Sequence, residues 1–456
     1  MSIGSNKVGL ERRLGLIATF SLVVGTIIGT GIFLKAGVMS QLLGQSSWVL
    51  IAWVVAGLLS STGALAYAEL GMLFPKAGGE YVYMREAYGD LAGFLWGWQR
   101  FWVSSPGSIA AYAVGAATFT APLINLSVFG GTAGLAIIFI LIFTVINCFE
   151  VTFGGRVQSF MTFFKIFLIL FIALGIFGFS STGTMAHLSE TTDKAFNISA
   201  FGAAMLAALW AFDGWNNMPM VAGEIKNPSR NIPLALGLGV GTILVIYLLA
   251  NFAYFYALPF SEALTANSKF NPQALPIATK ASYTFLGPAG YSILAFAFMF
   301  SAVGAMNGSI LSSSRVPFAM ARDGLFFQAV GLLHPKTKTP IVSLIVQAIL
   351  SIVLALSGTF DQLTDYVVFA SWIFYALCTG SLFIFRKKHP NAERPYKALG
   401  YPVLPAIFIL MTSLLLINTL ITSPRESLTG LAIIAAGVPA FWYMRRTQRK
   451  AQQSLK

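Results

Sequence analysis

The groups in this chain best placed to do chemistry lie in two short segments, GTIIGTGIF at 25–33 and WAFDGWNN at 210–217. Each sets glycine and small polar residues in the middle of a long apolar stretch. A continuous helix satisfies its backbone polar groups internally, and lipid supplies no substitute partner. A break at membrane depth therefore frees N–H and C=O groups that must meet something polar. Freed N–H groups at the start of a half-helix attract an anion, and freed carbonyls at the end of another attract a cation. A ligand carrying both charges a few bonds apart suits such a cradle, and an α-amino acid is the obvious candidate. Broken helices paired in two halves of one chain are a sequence pointer to a transporter's binding site.

Lys165 is the most diagnostic charge, with Phe, Met, Thr and Ile around it. A lysine at membrane centre costs ~2.5–3.5 kcal/mol on insertion scales, so it is expected to face the protein interior. The alternative is a side chain that snorkels to the interface. Asp213, followed by Gly214, either caps the half-helix beginning near Trp215 or is a carboxylate that tunes substrate charge preference or exchanges protons. Glu69 and Arg100 are either near-interface charges or an ion pair. Cys148 and Cys378 form no C-x-x-C pair, so neither a zinc nor a redox site is expected. His187, His334 and His389 fall in predicted loops, which argues against an intramembrane histidine relay. The sequence holds no Walker-type phosphate loop, and ATP is not the expected energy source.

The elements that position these groups follow from composition. The 456 residues are 56% hydrophobic and 10% charged, against roughly 25% charged in a soluble domain. The chain reads as an all-α integral membrane protein, and the first apolar segment is itself long enough to span rather than a cleavable leader. Twelve spans are predicted, at 14–34, 47–74, 91–121, 132–149, 155–179, 199–222, 234–258, 288–315, 340–358, 362–385, 400–422 and 428–444. An even number puts both termini on one side. Of the 29 basic residues, the loops of the other side hold five: Lys35, Lys194, Lys269, Lys280 and Arg425. Both termini are thus expected in the cytoplasm, and the net charge of +13 reads as a topology signal facing anionic lipid, not as a nucleic-acid surface. The whole chain, 1–456, is expected to be one transporter domain. Inverted repeats at about 14–179 and 199–385 would place the breaks in spans one and six, with two extra helices at about 400–444.

Six motifs then resemble one family in order: GTIIGTGIF at 25–33, PKAGGEYVYMREAYG at 75–89, RVQSFMTFFK at 156–165, WAFDGWN at 210–216, GEIKNPSRNIP at 223–233 and NGSILSSSR at 307–315. The chain resembles the amino acid–polyamine–organocation superfamily and, within it, the L-type amino acid transporter family. That resemblance implies a LeuT-like fold of five plus five inverted repeats, with helices 1 and 6 broken, and alternating access to a central site. Carried over by position, the substrate site comprises Thr26, Ile27, Ile28, Gly29, Thr30, Gly31, Trp210, Ala211, Phe212 and Asp213. The N–H groups around Ile27, Gly29, Thr30 and Gly31 would take the carboxylate. The carbonyls of Ile27, Trp210, Ala211 and Asp213 would take the ammonium. Close helix packing is the plainer use for the glycines. Trp210 sits where the family keeps an aromatic gate, interfacial anchoring being the alternative. The resemblance also implies that the Lys165 ammonium replaces a bound sodium ion, near Gly25, Ser312 and Ser313. GGE at 78–80 corresponds to a cytoplasmic loop of the inner gate, and 224–233 would transmit the tilt of span six to span seven.

The function expected is sodium-independent exchange of small neutral amino acids such as alanine, serine, cysteine or threonine, in the inner membrane of a bacterium. No cofactor, metal or catalytic residue is expected. Residues 121–131 contain no cysteine, so the disulfide that joins eukaryotic members to a glycoprotein partner cannot form there. A proton-coupled amino acid symporter and a polyamine or cationic amino acid carrier of the same fold remain alternatives. A membrane-embedded transferase would need a clustered acidic or His/Asp constellation, which the sequence does not display.

Overall fold

Long apolar runs become helices because a helix bonds its own backbone where solvent cannot. The computed structural model describes residues 10–121, 123–268, 271, 273–357 and 360–453, with backbone alone at 360–368, 426 and 448–453; Lys269 lies outside the described residues. Among those described there is no β-strand. The helices run in order α1 (Leu16–Ile27), α2 (Gly31–Leu43), α3 (Ser46–Leu73), α4 (Glu80–Tyr88), α5 (Asp90–Gln99), α6 (Ser105–Thr120), α7 (Gly131–Cys148), α8 (Val151–Phe179), α9 (Ile198–Phe212) and α10 (Asn217–Met220). They continue with α11 (Pro228–Ala257), α12 (Phe260–Leu264), α13 (Ile277–Leu286), α14 (Pro288–Ser313), α15 (Arg315–Arg322), α16 (Ile341–Ser357), α17 (Phe360–Lys388), α18 (Val403–Thr422) and α19 (Pro424–Gln453). Among the described residues, nine helical stretches are long and apolar enough to cross a membrane, and Ile198–Phe212 and Ile341–Ser357 are shorter apolar helices.

Both interruptions fall inside the segments singled out above. Ile28 turns extended (φ −69°, ψ 92°) and ends α1; α2 starts three residues later. Asp213 turns extended (ψ 149°) and ends α9. Gly214 follows at φ 119°, a region L side chains avoid, and α10 then occupies a single turn. The first apolar stretch runs to Leu43 rather than ending near residue 34, because one lysine (Lys35) does not stop a helix.

Helices also form where loops were expected. Residues 80–88 make α4, whose Tyr81, Val82, Tyr83 and Met84 are buried; its nine residues with three charges are too short and polar to register as a span. Short α12 and α13 likewise fill the connection after α11. Pro106 alters its helix locally. It has no N–H to serve Trp102, and just before it the ladder widens to a π-helical turn at Arg100–Ser104, with the Ser105 N–H donating to the Arg100 carbonyl. Such turns cluster at functional sites.

The two broken stretches form the centre. α1 packs against α8, α11 and α14, while α2 lies along α9. α18 and α19 sit outside, against α17, α3, α9 and α5.

Candidate functional site

Close approach of the two breaks depends on residue size. A Cβ on Gly31 would come within 2.7 Å of the Ala211 Cβ, and one on Gly214 within 2.8 Å of the Thr26 carbonyl carbon and oxygen. Only glycine permits main chain against main chain at these points. Thr26 Oγ1 lies 2.9 Å from the Gly214 carbonyl oxygen and 2.6 Å from that of Leu22, its single proton shared between them.

The polar ends of the half-helices face one another there. No backbone acceptor serves the N–H of Gly29 or Thr30 among the described residues, and the first N–H groups of α2 have no partner within their own helix. The buried Thr30 hydroxyl is also unpartnered. These donors sit at the positive end of the α2 dipole and suit a carboxylate. On the other side, the Trp210 carbonyl accepts the Asp213 N–H at 3.1 Å. The carbonyls of Ile27 and Ala211 lie 3.1 and 2.9 Å from one hydroxyl, that of Tyr247 on α11. Tyr247 thus joins the carbonyl ends of α1 and α9. Nothing in its local sequence, VIYLLAN, distinguishes it from a core tyrosine.

Trp210 and Tyr112 cover the first break, both buried, their rings stacked at 6.3 Å and 28°. Gly29 lies beneath, where a Cβ would approach the Tyr112 ring to 2.9 Å. Phe212 packs against Trp53 and Tyr247.

Lys165, 1% exposed, donates to the carbonyls of Gly25 and Ile28, each at 2.6 Å, and to that of Ser301 at 3.3 Å. The Ser301 hydroxyl adds bonds to Ile28 and Gly29 carbonyls at 3.2 and 3.0 Å. The Lys165 Nζ therefore sits on the carbonyl end of α1, and Lys165 does not snorkel. Ser312 and Ser313 are not its neighbours. They lie three turns further along α14, roughly 16 Å at ~1.5 Å per residue, so the expected serine pair is corrected to Ser301. Ser312 bonds its own helix at Gly308. Ser313, its hydroxyl unpartnered, lines a small cavity with Arg100, Ser105 and Gln347.

Of the two readings of Asp213, the hydrogen bonds do not favour the cap. Asn216, at the start of α10, makes no side-chain cap bond, and the Asp213 carboxylate accepts the Tyr375 hydroxyl from α17 at 2.7 Å. Glu69 and Arg100 do not pair either. Glu69 binds Arg386 through two bonds and Arg394 through a third contact, whereas Arg100 donates to Asn217.

At one end three segments are tied together. Arg315 and Glu224, each 1% exposed, form a bidentate pair at 2.7 and 3.0 Å. The Glu224 carbonyl accepts the N–H groups of Arg13 and Leu14, and the Leu14 carbonyl accepts that of Lys226. The start of α1, the segment after α10 and the junction of α14 with α15 are thereby one knot. Among the described residues, no group of three His, Cys, Asp or Glu side chains could hold a metal.

Comparison with known proteins identifies the family. A family model described as amino acid permease matches residues 14–442. The serine/threonine exchanger SteT of Bacillus subtilis is 34% identical over 450 residues, 97% of this chain and 98% of that protein. The large neutral amino acids transporter small subunit 2 of Mus musculus is 31% identical, over 97% of this chain and 82% of its own. The b(0,+)-type amino acid transporter 1 of the same species is 30% identical, over 94% and 87%.

Proposed function

The chain belongs to the amino acid permease family, and from that premise we propose that it is a sodium-independent exchanger of small neutral L-amino acids. The observation that carries the reading is the unserved cluster of N–H groups at the start of α2, set beside the carbonyl ends of α1 and α9. The substrate carboxylate binds the N–H groups of Gly29, Thr30 and Gly31 with the Thr30 hydroxyl. Its ammonium binds carbonyls among Ile27, Trp210, Ala211 and Asp213, displacing the Tyr247 hydroxyl. The stacked Tyr112 and Trp210 rings leave little room above Gly29, which supports a small side chain. Trp210 is the gate over it.

Lys165 supplies in fixed form the charge that a bound sodium ion would bring. A carrier whose cation is tethered returns empty only slowly, so a loaded return dominates and exchange results. In this reading the twelve segments span the cell membrane as one domain, spans one to five and six to ten are inverted repeats, and both termini face the cytoplasm. The Arg315–Glu224 knot then belongs to the inner gate. The chain works as a transporter rather than an enzyme, without cofactor and without a disulfide-linked partner.

Counterflow tests the function. Proteoliposomes loaded with unlabelled serine should accumulate labelled serine transiently, with sodium or choline as the external cation. A panel of internal amino acids should rank alanine, serine, cysteine and threonine above bulky and charged ones. Uptake that needs sodium, or that proceeds equally well into empty vesicles, contradicts exchange by a fixed cation.

A further inference from the structure

Among the described residues, three glutamates are buried to 1% exposure or less: Glu69, Glu80 and Glu224. Glu69 and Glu224 each have arginine in direct contact, the arrangement that offsets the cost of burying a charge. Glu80 does not. Its bonded partners are neutral, the Tyr67 hydroxyl of α3 at 2.9 Å and the Asn216 side-chain amide at 3.5 Å. No Lys, Arg or His makes an ion pair with it among the described residues.

The neighbours explain why this position matters. Asn216 and Asn217 follow the second break and begin α10. Asn216 faces Glu80, and Asn217 accepts from Arg100, so the two asparagines stand between a carboxyl and a guanidinium that act on each other only through space. Glu80 also heads α4, and the preceding Gly78 N–H donates to the Met220 carbonyl at the end of α10 at 2.9 Å. The ionisable groups facing Glu80 come from every packed element: Tyr67 on α3, Tyr83 on α4, Arg100 on the π-helical turn, Asp213 at the break, and Tyr375 and Cys378 on α17.

We propose that Glu80 is a proton-binding site of the inner gate, whose ionised form holds Asn216, and with it α10, against α3 and α4, and whose protonated form releases that segment. The inference rests on the reading of α10 as the inner half of a broken span in an exchanger. An ionised carboxylate accepts hydrogen bonds about twice as strong as neutral ones, so protonation weakens the hold without removing a side chain. Burial pushes the Glu80 carboxyl up to about 7, with Arg100, Tyr67 and Asn216 opposing the rise. The site therefore changes charge within the range a cell's interior visits.

The experiment is serine counterflow by the full chain in proteoliposomes at equal pH on both faces, stepped across either side of about 7. Equal pH removes any proton gradient as a driving force. Exchange should rise roughly five-fold as pH falls through the midpoint, the factor expected when a charge-assisted bond becomes a neutral one. Glu80→Gln should run at the acid-side rate throughout. Tyr67→Phe should keep the transition and move its midpoint to higher pH, because a donor that favours the carboxylate is gone. A Glu80→Gln protein that titrates like the wild type, a flat wild-type profile, or a rate that falls on acidification overturns the proposal. Where Glu80→Gln does not fold, an unmoved midpoint in Tyr67→Phe overturns it instead. Absence of counterflow at every pH refutes the exchange reading itself, and the role of Glu80 with it.

Discussion

Replacing Lys165 by alanine perturbs the site at its most charged contact. The ammonium makes two 2.6 Å bonds to the Gly25 and Ile28 carbonyls and a longer one to Ser301. Hydrogen bonds to a charged group contribute ~1.5–3 kcal/mol each. The alanine protein also escapes the desolvation cost of a buried charge, of order several kcal/mol, so net stability falls by less than the summed bonds. Transport is the more sensitive readout. If one such bond differs between the inward- and outward-facing states, its loss slows exchange by roughly ten- to a hundred-fold. The Ser301 hydroxyl still holds the Ile28 and Gly29 carbonyls, which keeps the break formed. Arginine should not rescue. Even a Cβ on Gly304 would come within 3.2 Å of the Lys165 Nζ, and a guanidinium is larger than an ammonium. The assay is counterflow turnover in proteoliposomes, with thermal unfolding measured on the same preparations. Wild-type turnover in a folded Lys165→Ala protein would refute the tethered-cation argument.

Gly214→Ala should abolish exchange and lower thermal stability. Its Cβ would meet the Thr26 main chain at 2.8 Å, and the φ of 119° adds strain of roughly 1–3 kcal/mol; a stable, active alanine variant contradicts the packing of the two breaks. Breaking the buried knot by Glu224→Gln or Arg315→Met alone should cost about 3–5 kcal/mol, whereas the double substitution should recover much of the loss. Thermal unfolding of the three variants checks this, and simple additivity would show that the pair does not act as a unit. Tyr247→Phe removes the hydroxyl shared by the Ile27 and Ala211 carbonyls. That hydroxyl competes with the substrate ammonium for the same acceptors, so losing its hydrogen bond of ~1 kcal/mol should lower the KM for serine about five-fold, and an unchanged KM would mean that these carbonyls lie outside the site.

Which parts of this arrangement could be read from residues follows from the range of the forces involved. Glycine and aspartate interrupting an apolar run mark the breaks, because the cost of freed backbone in lipid is local and large. Long apolar runs mark the helices for the same reason. Helix α4 escaped notice because its signal is an amphipathic face of two turns, which resembles a polar loop in composition. The partner of Lys165 on α14 depends on where along the helix the two axes cross. Several serines recur on α14, and nothing local separates Ser301 from Ser312 and Ser313. The same holds for Asp213, where Asp-Gly reads as a cap, yet α17 brings Tyr375 to the carboxylate from 162 residues away. Tyr247 and Glu80 gain meaning only from what faces them.

The central claim is that two interruptions, one after Ile27 and one after Phe212, lend bare main-chain groups to a zwitterion. A structure of the full chain with serine bound tests it most directly. The carboxylate should lie within hydrogen-bond distance of the N–H groups of Gly29, Thr30 and Gly31, and the ammonium on carbonyls of the α1 and α9 ends. Serine seated elsewhere, or held chiefly by side chains while either stretch coils continuously, would contradict it.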